Sequence, residues 1–90
     1  MPSPSMQFDA ELVRASEAGG WIVFEAPGSA EAFGTGKPVR VVGTLDAVTV
    51  ALTLLPSGHG YHLGPVKAAT RKMLGKDVGD TIAVRIEAAA

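Results

Sequence analysis

Two consecutive strands are predicted by residues 38–56, which read PVRVVGTLDAVTVALTLLP. Apolar residues that share one parity lie on each side of a central Asp46-Ala47 pair, at Val39, Val41, Leu45, Val48, Val50, Leu52 and Leu54. A period of two is that of a strand with one buried face. The stretch therefore predicts a hairpin that turns at Asp46-Ala47. Neither turn residue is glycine, which leaves the turn type open.

The same period continues on both sides of the hairpin. Apolar residues alternate with acids from Phe8 to Leu12, and the alternation stops at Val13-Arg14, where we expect a bulge or the end of the strand. Residues 21–24 are all apolar, as in a strand that is covered on both faces. The expected strands lie near residues 6–14, 21–25, 38–45, 48–55 and 81–87.

One helix is predicted near residues 66–74, because apolar residues recur there at helical spacing. Pro65 suits the first position of that helix, and Gly75 suits its left-handed end. Two stretches rich in glycine, 26–36 and 57–64, are predicted as loops, the first with room for one helical turn at 30–33. The fold class is therefore mainly β: a small barrel or pseudo-barrel of about five to six strands, with one helix before the last strand.

A chain of 90 residues is long enough for one hydrophobic core and too short for two. We expect a flexible N-terminal tail at residues 1–5 and a single β-barrel domain at residues 6–90. The residues predicted to form the core are Phe8, Leu12, Val41, Leu45, Val50, Leu52, Leu54, Met73, Ile82, Val84 and Ile86.

Composition excludes several functional classes. The absence of cysteine excludes disulfides, thiolate zinc sites and thiol nucleophiles. The longest mainly apolar run, residues 47–55, is too short to cross a bilayer, and residues 1–5 contain no basic segment followed by an apolar stretch, so we expect no signal peptide. We expect a cytoplasmic protein without a membrane partner. A net charge of −1 argues against nucleic-acid binding, although four bases and no acid lie within residues 67–76.

Three strings resemble the family called domain of unknown function 1905. They are Gly19-Gly20-Trp21, VRVVGTLD at 39–46, and GPVKAATRKMLGKDVGDT at 64–81. The resemblance extends over about residues 8–87 and implies a small pseudo-barrel of the double-split kind, an architecture also used by swapped-hairpin transcription regulators and some antitoxins. It implies no established activity. Members of the family are often fused to a bacteriocin-protection, OmpD-associated domain, which we do not expect in this chain.

All but one of the candidate ligand-binding residues lie in and after the second glycine-rich loop. That loop runs into the predicted helix, whose first backbone amides are free and carry a partial positive charge. Basic and imidazole side chains add to this field, and an aromatic residue could form a platform for a ligand. The candidates are His59, His62, Gly64, Lys67, Arg71 and Trp21. Alternatively, the glycines only permit a chain reversal, the bases form the wet face of a helix, and the tryptophan belongs to the core or the barrel rim.

No catalytic or metal site is predicted. His59 and His62 lack a third ligand nearby, and Ser57 beside His59 is too common a pairing to indicate a triad. We therefore expect no cofactor and no enzymatic activity. The sequence favours a small, non-catalytic binding module for a small anionic ligand or a protein partner, as a monomer or homodimer. The alternative, a DNA-binding or antitoxin-like regulator, depends on analogy of fold alone.

Overall fold

Seven strands and two short helices form from the residues that the computed structural model describes, 3–16 and 19–89. In chain order they are β1 (Ser5–Glu11), β2 (Val13–Ala15), β3 (Trp21–Ala26), α1 (Ser29–Phe33), β4 (Val39–Leu45), β5 (Val48–Pro56), β6 (His62–Pro65), α2 (Ala68–Leu74) and β7 (Thr81–Ala88). The strands form one curled, half-barrel sheet in the order β1-β7-β4-β5-β6-β3-β2, and all neighbours are antiparallel. The mainly β class is confirmed, whereas the number of strands exceeds the five or six expected.

The β4–β5 hairpin turns at Asp46-Ala47, as predicted, with Leu45 paired to Val48. Asp46 takes the place of the missing glycine: its φ is 53°, a left-handed conformation that aspartate tolerates better than most residues. Its backbone N–H donates to the Ala83 carbonyl at 2.8 Å, and its Oδ1 accepts from the Ala83 N–H at 2.9 Å. Lys76 Nζ lies 2.8 Å from Oδ2. The turn is thereby bound to β7 and to the segment after α2.

The substitution Asp46→Asn is expected to reduce the loss of stability in acid. The hydrogen bond from the Ala83 N–H, and then Lys76, hold the pKa of Asp46 below its ordinary value of 3.8. The folded protein therefore binds this proton less readily than the unfolded chain does. The ionised carboxylate stabilises the fold above the unfolded pKa of about 4, and this contribution is lost as the pH falls through the lower folded pKa.

Urea unfolding at a series of pH values from about 7 down to about 2.5 measures this effect. The unfolding midpoint of the parent should fall more steeply below about pH 4 than that of Asp46→Asn. Asp9→Asn is the control, because Asp9 is exposed on β1 and its side chain makes no hydrogen bond or ion pair to another described residue. Identical acid profiles for the parent and Asp46→Asn would contradict the assigned role.

The first predicted strand is divided in two at Leu12. β1 pairs with β7 over its whole length, whereas β2 pairs with β3. Leu12 itself is fully buried; its N–H donates to the Asp80 carbonyl at 2.8 Å, and its carbonyl accepts from the Gly79 N–H at 2.9 Å. The break therefore lies one residue before the expected Val13-Arg14. It lets one segment supply both outer strands of the sheet.

The core lies on the concave side of this sheet and follows the period-two pattern. Its buried residues are Leu12, Ile22, Phe24, Ala26, Val41, Leu45, Leu54, Val66, Ile82, Val84 and Ile86. The predicted core residues Phe8, Val50 and Leu52 are partly buried and pack against it. Met73 was predicted wrongly, since its side chain is 71% exposed. Helix α2 lies on the surface with no fully buried residue, and it packs against the core through the neighbouring Leu74.

The segment before α2 also differs from its prediction. Residues 62–65, expected to be the end of a loop and the start of a helix, form β6. Pro65 ends this strand, where its missing N–H is no disadvantage. The Val66 N–H donates to the Ile22 carbonyl at 2.9 Å and continues the pairing with β3, so the helix begins only at Ala68. The left-handed end at Gly75 is confirmed by its φ of 69°.

The short helix α1 occupies the stretch in which one helical turn was expected. Of the predicted tail, residues 1 and 2 lie outside the described residues, and Ser5 is the first residue of β1. Neither helix found in the described part of the chain has the length and apolarity needed to cross a bilayer.

Candidate functional site

His62, one of the predicted ligand-binding residues, is buried and satisfied within the protein. Its Nε2 lies 2.8 Å from the Lys37 carbonyl, an acceptor, so we assign the ring proton to Nε2. Its Nδ1 lies 2.7 Å from Ser29 Oγ, which donates to it and also accepts the His62 backbone N–H at 2.8 Å. Both ring nitrogens are therefore engaged in joining β6 to α1 and to the segment before β4.

His62→Ala is expected to lower the free energy of unfolding by about 1 to 3 kcal/mol, because it leaves the buried Ser29 hydroxyl without its acceptor. Urea unfolding measures the loss. His59→Ala is the matched control: His59 is exposed, and its effect should stay within about 0.5 kcal/mol. Equal effects of the two substitutions would show that the buried network contributes little.

His59 and Gly64 have structural roles that differ from that of His62. His59 is exposed beside Tyr61, with the ring centroids 6.3 Å apart, and its N–H donates to Ser57 Oγ at 3.0 Å. Ser57 Oγ donates to the Tyr61 carbonyl at 2.7 Å, so its hydroxyl fastens the β5–β6 turn. Gly64 is buried in β6, and the ring of Phe24 fills the space where a Cβ would lie.

The structure brings the other three candidates, Trp21, Lys67 and Arg71, together in one cleft of about 530 Å³. We call it the Trp21 cleft. Trp21 is at the start of β3, Lys67 directly precedes α2, and Arg71 is within α2. The apolar part of its wall is formed by neighbours that include Ile22, Pro65 and Val66. Arg14 adds a positive charge to the lining, and Asp77 adds a negative charge.

Arg71 is held in place by two contacts. Its Nη1 donates to the Val66 carbonyl at 2.6 Å, which ties α2 to the end of β6. Its buried Nε lies 3.3 Å from Asp77 Oδ1, close enough for an ion pair, although it forms no hydrogen bond with any described residue. Asp77 is largely exposed, so water screens this pair. Part of the charge of Arg71 is thus already balanced by Asp77.

Lys67 is the cation of the cleft that has no partner among the described residues. It is exposed, and its ammonium makes no hydrogen bond or ion pair with any of them. Of the backbone amides expected to assist it, those of residues 64–66 are not free. Gly64 lies in the β3–β6 ladder, Pro65 has no N–H, and the Val66 N–H donates to Ile22. An anion in the Trp21 cleft would therefore find no free backbone amide at residues 64–66.

A family model described as domain of unknown function (DUF1905) matches residues 8–86. The chain belongs to the DUF1905 family. No curated protein is significantly similar to it. The family match reaches every described strand of the sheet, and it includes Trp21, Lys67 and Arg71 of the cleft.

The string at 75–81 has a structural role in this DUF1905 domain. It ends α2 and forms a turn in which the Asp77 N–H donates to Asp80 Oδ2 at 2.9 Å. The Asp80 N–H donates to the Asp77 carbonyl at 3.0 Å, and the Gly79 N–H donates to the Leu12 carbonyl. The same turn places Asp77 at the Trp21 cleft.

Sequence reasoning missed the other two charged residues of the Trp21 cleft, Arg14 and Asp77. Arg14 reaches it from β2, where its Nη1 donates to the Gly20 carbonyl at 3.0 Å. No sequence signal marked Arg14, which is remote from Lys67 along the chain. Asp77 stood within the family-like string but was not connected with Arg71. Among the described residues, no group of three or more histidine and acidic side chains could hold a metal ion.

Proposed function

We propose that this domain is a non-catalytic module that binds a small anionic ligand in the Trp21 cleft. The observation that carries the proposal is the convergence of Arg14, from β2, with Lys67 and Arg71, from the start of α2, on one cleft. Its volume of about 530 Å³ falls within the usual range for small-molecule sites.

The charge of the cleft supports an anion as its ligand. Three cations and one acid line it, although the whole chain has a net charge of −1. Asp77 balances part of the charge of Arg71. Lys67, which has no partner among the described residues, is therefore the cation most available to a ligand. A charge-assisted hydrogen bond from its ammonium to a carboxylate or phosphate would fix the anionic group.

The lining also supports binding without chemistry. None of the described residues at the cleft carries a hydroxyl, thiol or imidazole group, and its one carboxylate, that of Asp77, pairs with Arg71 and not with the Lys67 amine. The cations can hold an anion, and no base among the described residues is paired with the Lys67 amine to make it a nucleophile.

Titration with inorganic phosphate, followed by amide NMR, tests the proposal. The resonances of residues 66–68 and the Trp21 indole N–H should shift saturably. Lys67→Ala should weaken phosphate binding about 10- to 100-fold, the effect of losing one charge-assisted hydrogen bond. Lys72→Ala is the matched control, because it removes an exposed α2 charge that lies outside the cleft.

Two results would count against the proposal. Shifts that rise linearly with phosphate, or equal weakening in Lys67→Ala and Lys72→Ala, would indicate only general attraction between charges. A parallel titration with a short random DNA duplex addresses the alternative function. Saturable duplex binding with a steep salt dependence would favour the DNA-binding regulator instead.

A further inference from the structure

We infer that the ligand of the Trp21 cleft is an aryl anion, whose planar ring stacks on the indole of Trp21 while its carboxylate or phosphate binds Lys67. This inference rests on the proposed function, because it specifies the chemical class of the small anion that the cleft would bind. It depends on two further observations: the exposure of Trp21 and the strand register that places Lys67 beside it.

Trp21 is exposed in a strand that is otherwise mostly buried. Its side chain is 57% exposed, whereas Ile22, Val23 and Phe24, which follow it in β3, are buried. Its cross-strand partner in β2 is Ala15, whose methyl group is too small to cover an indole. A tryptophan prefers to bury its large apolar surface. Its uncovered ring at the wall of a cleft is a platform on which a second ring can stack.

The pairing of β3 with β6 determines what lies next to this platform. Val23 pairs with Pro65, and the hydrogen bond from the Val66 N–H to the Ile22 carbonyl extends the same register by one residue. Continued by one more residue, this register would set Lys67 opposite Trp21. Residues opposite each other point to the same face, with Cβ atoms about 4.5 to 5.5 Å apart. The indole and the Lys67 side chain are therefore close neighbours on one surface, and both line the cleft.

This juxtaposition limits the shape of the ligand. An anionic group attached directly to a ring, or through one or two atoms, would meet the Lys67 ammonium while the ring covers Trp21. Pro65, on the same face as Val23, adds an apolar surface beside the ring. An aliphatic anion would form the contact with Lys67 but leave the indole uncovered.

Matched anions with and without a ring test the inference. The probes are phenyl phosphate against methyl phosphate, and benzoate against acetate. Because the chain contains a single tryptophan, fluorescence excited at wavelengths that indole absorbs and tyrosine does not reports on Trp21 alone. We expect phenyl phosphate to bind at least about tenfold more tightly than methyl phosphate, which is the gain from one stacked ring.

Variants of Trp21 and Lys67 test where the ring of the ligand binds. They also separate the aryl inference from the proposed function. In Trp21→Leu, calorimetry should show phenyl phosphate binding no more tightly than methyl phosphate, whereas Trp21→Phe should retain a preference for the ring. Lys67→Ala should weaken both phosphates. Equal affinities in the parent would overturn the aryl inference and leave the anion site intact. A ring preference that survives in Trp21→Leu would also overturn it. The absence of saturable binding by either phosphate would remove the proposed function as well.

Discussion

Replacing Phe24 by alanine is expected to lower the free energy of unfolding by about 3 to 5 kcal/mol. The Phe24 side chain has no exposed surface. Its ring lies against Phe8, with the centroids 6.1 Å apart, and over the backbone of Gly64. Alanine would leave a cavity between three strands that the curled sheet cannot close. Urea unfolding measures the loss, and Trp21→Ala, an exposed aromatic of the same strand, should cost about 1 kcal/mol or less.

The close contact between the Phe24 ring and the backbone of Gly64 gives a second test of this packing. A Cβ at Gly64 would overlap the Phe24 ring, so Gly64→Ala alone should also destabilise the domain, by about 1 to 3 kcal/mol. In the double variant the new methyl group enters the space that the ring has left. Its total loss should therefore be smaller than the sum of the single losses by about 0.5 to 3 kcal/mol. Simple additivity would show that the ring and the glycine do not share this space.

Gly43→Ala is expected to cost about 3 kcal/mol, at the upper end of the range for overpacking. Gly43 lies in β4 between Val50 of β5 and Ile86 of β7. A Cβ there would overlap the carbonyl oxygen of Arg85 and would lie 2.9 Å from the Ile86 Cα. These atoms are backbone, so no side-chain rotation can relieve the overlap, and β7 would have to move away from β4. Urea unfolding measures this loss as well.

Gly36→Ala is the control for Gly43→Ala. A Cβ at Gly36 would meet no heavy atom within 4 Å, and the backbone there is not left-handed. Alanine should therefore change the free energy of unfolding by no more than about 0.5 kcal/mol. A similar effect at both glycines would mean that the close approach of β4 and β7 is easily relaxed.

The strands with clear alternation could be predicted from the sequence, and those defined by tertiary contacts could not. The hairpin of β4 and β5 and the last strand, β7, lie within about one residue of their expected positions. β6 was missed because His62, Gly64 and Pro65 are atypical of a strand. Its stability comes from the Ser29–His62 hydrogen bonds and the Phe24 ring, which involve residues distant in the sequence.

The candidate site was predictable to a similar extent. Lys67 and Arg71 stood out because bases cluster around them, and Trp21 stood out as an aromatic residue that could form a platform for a ligand. That Trp21 and Lys67 lie side by side depends on the register of β3 with β6, a strand that the pattern did not reveal. The positions of these residues along the chain therefore could not show that Trp21 and Lys67 lie at a cleft whereas His62 is buried in the interior.

The pairing of β1 with β7 also affects how the protein is made. Ser5 pairs with Glu87 and Glu11 with Thr81, so the partners are synthesised more than 65 residues apart. At roughly 5 to 20 residues per second, a ribosome completes β1 several seconds before β7 exists. During that interval β1 and one edge of β4 have no strand to bind, which leaves both open to other chains. The half-barrel can therefore complete its sheet only after β7 has been translated.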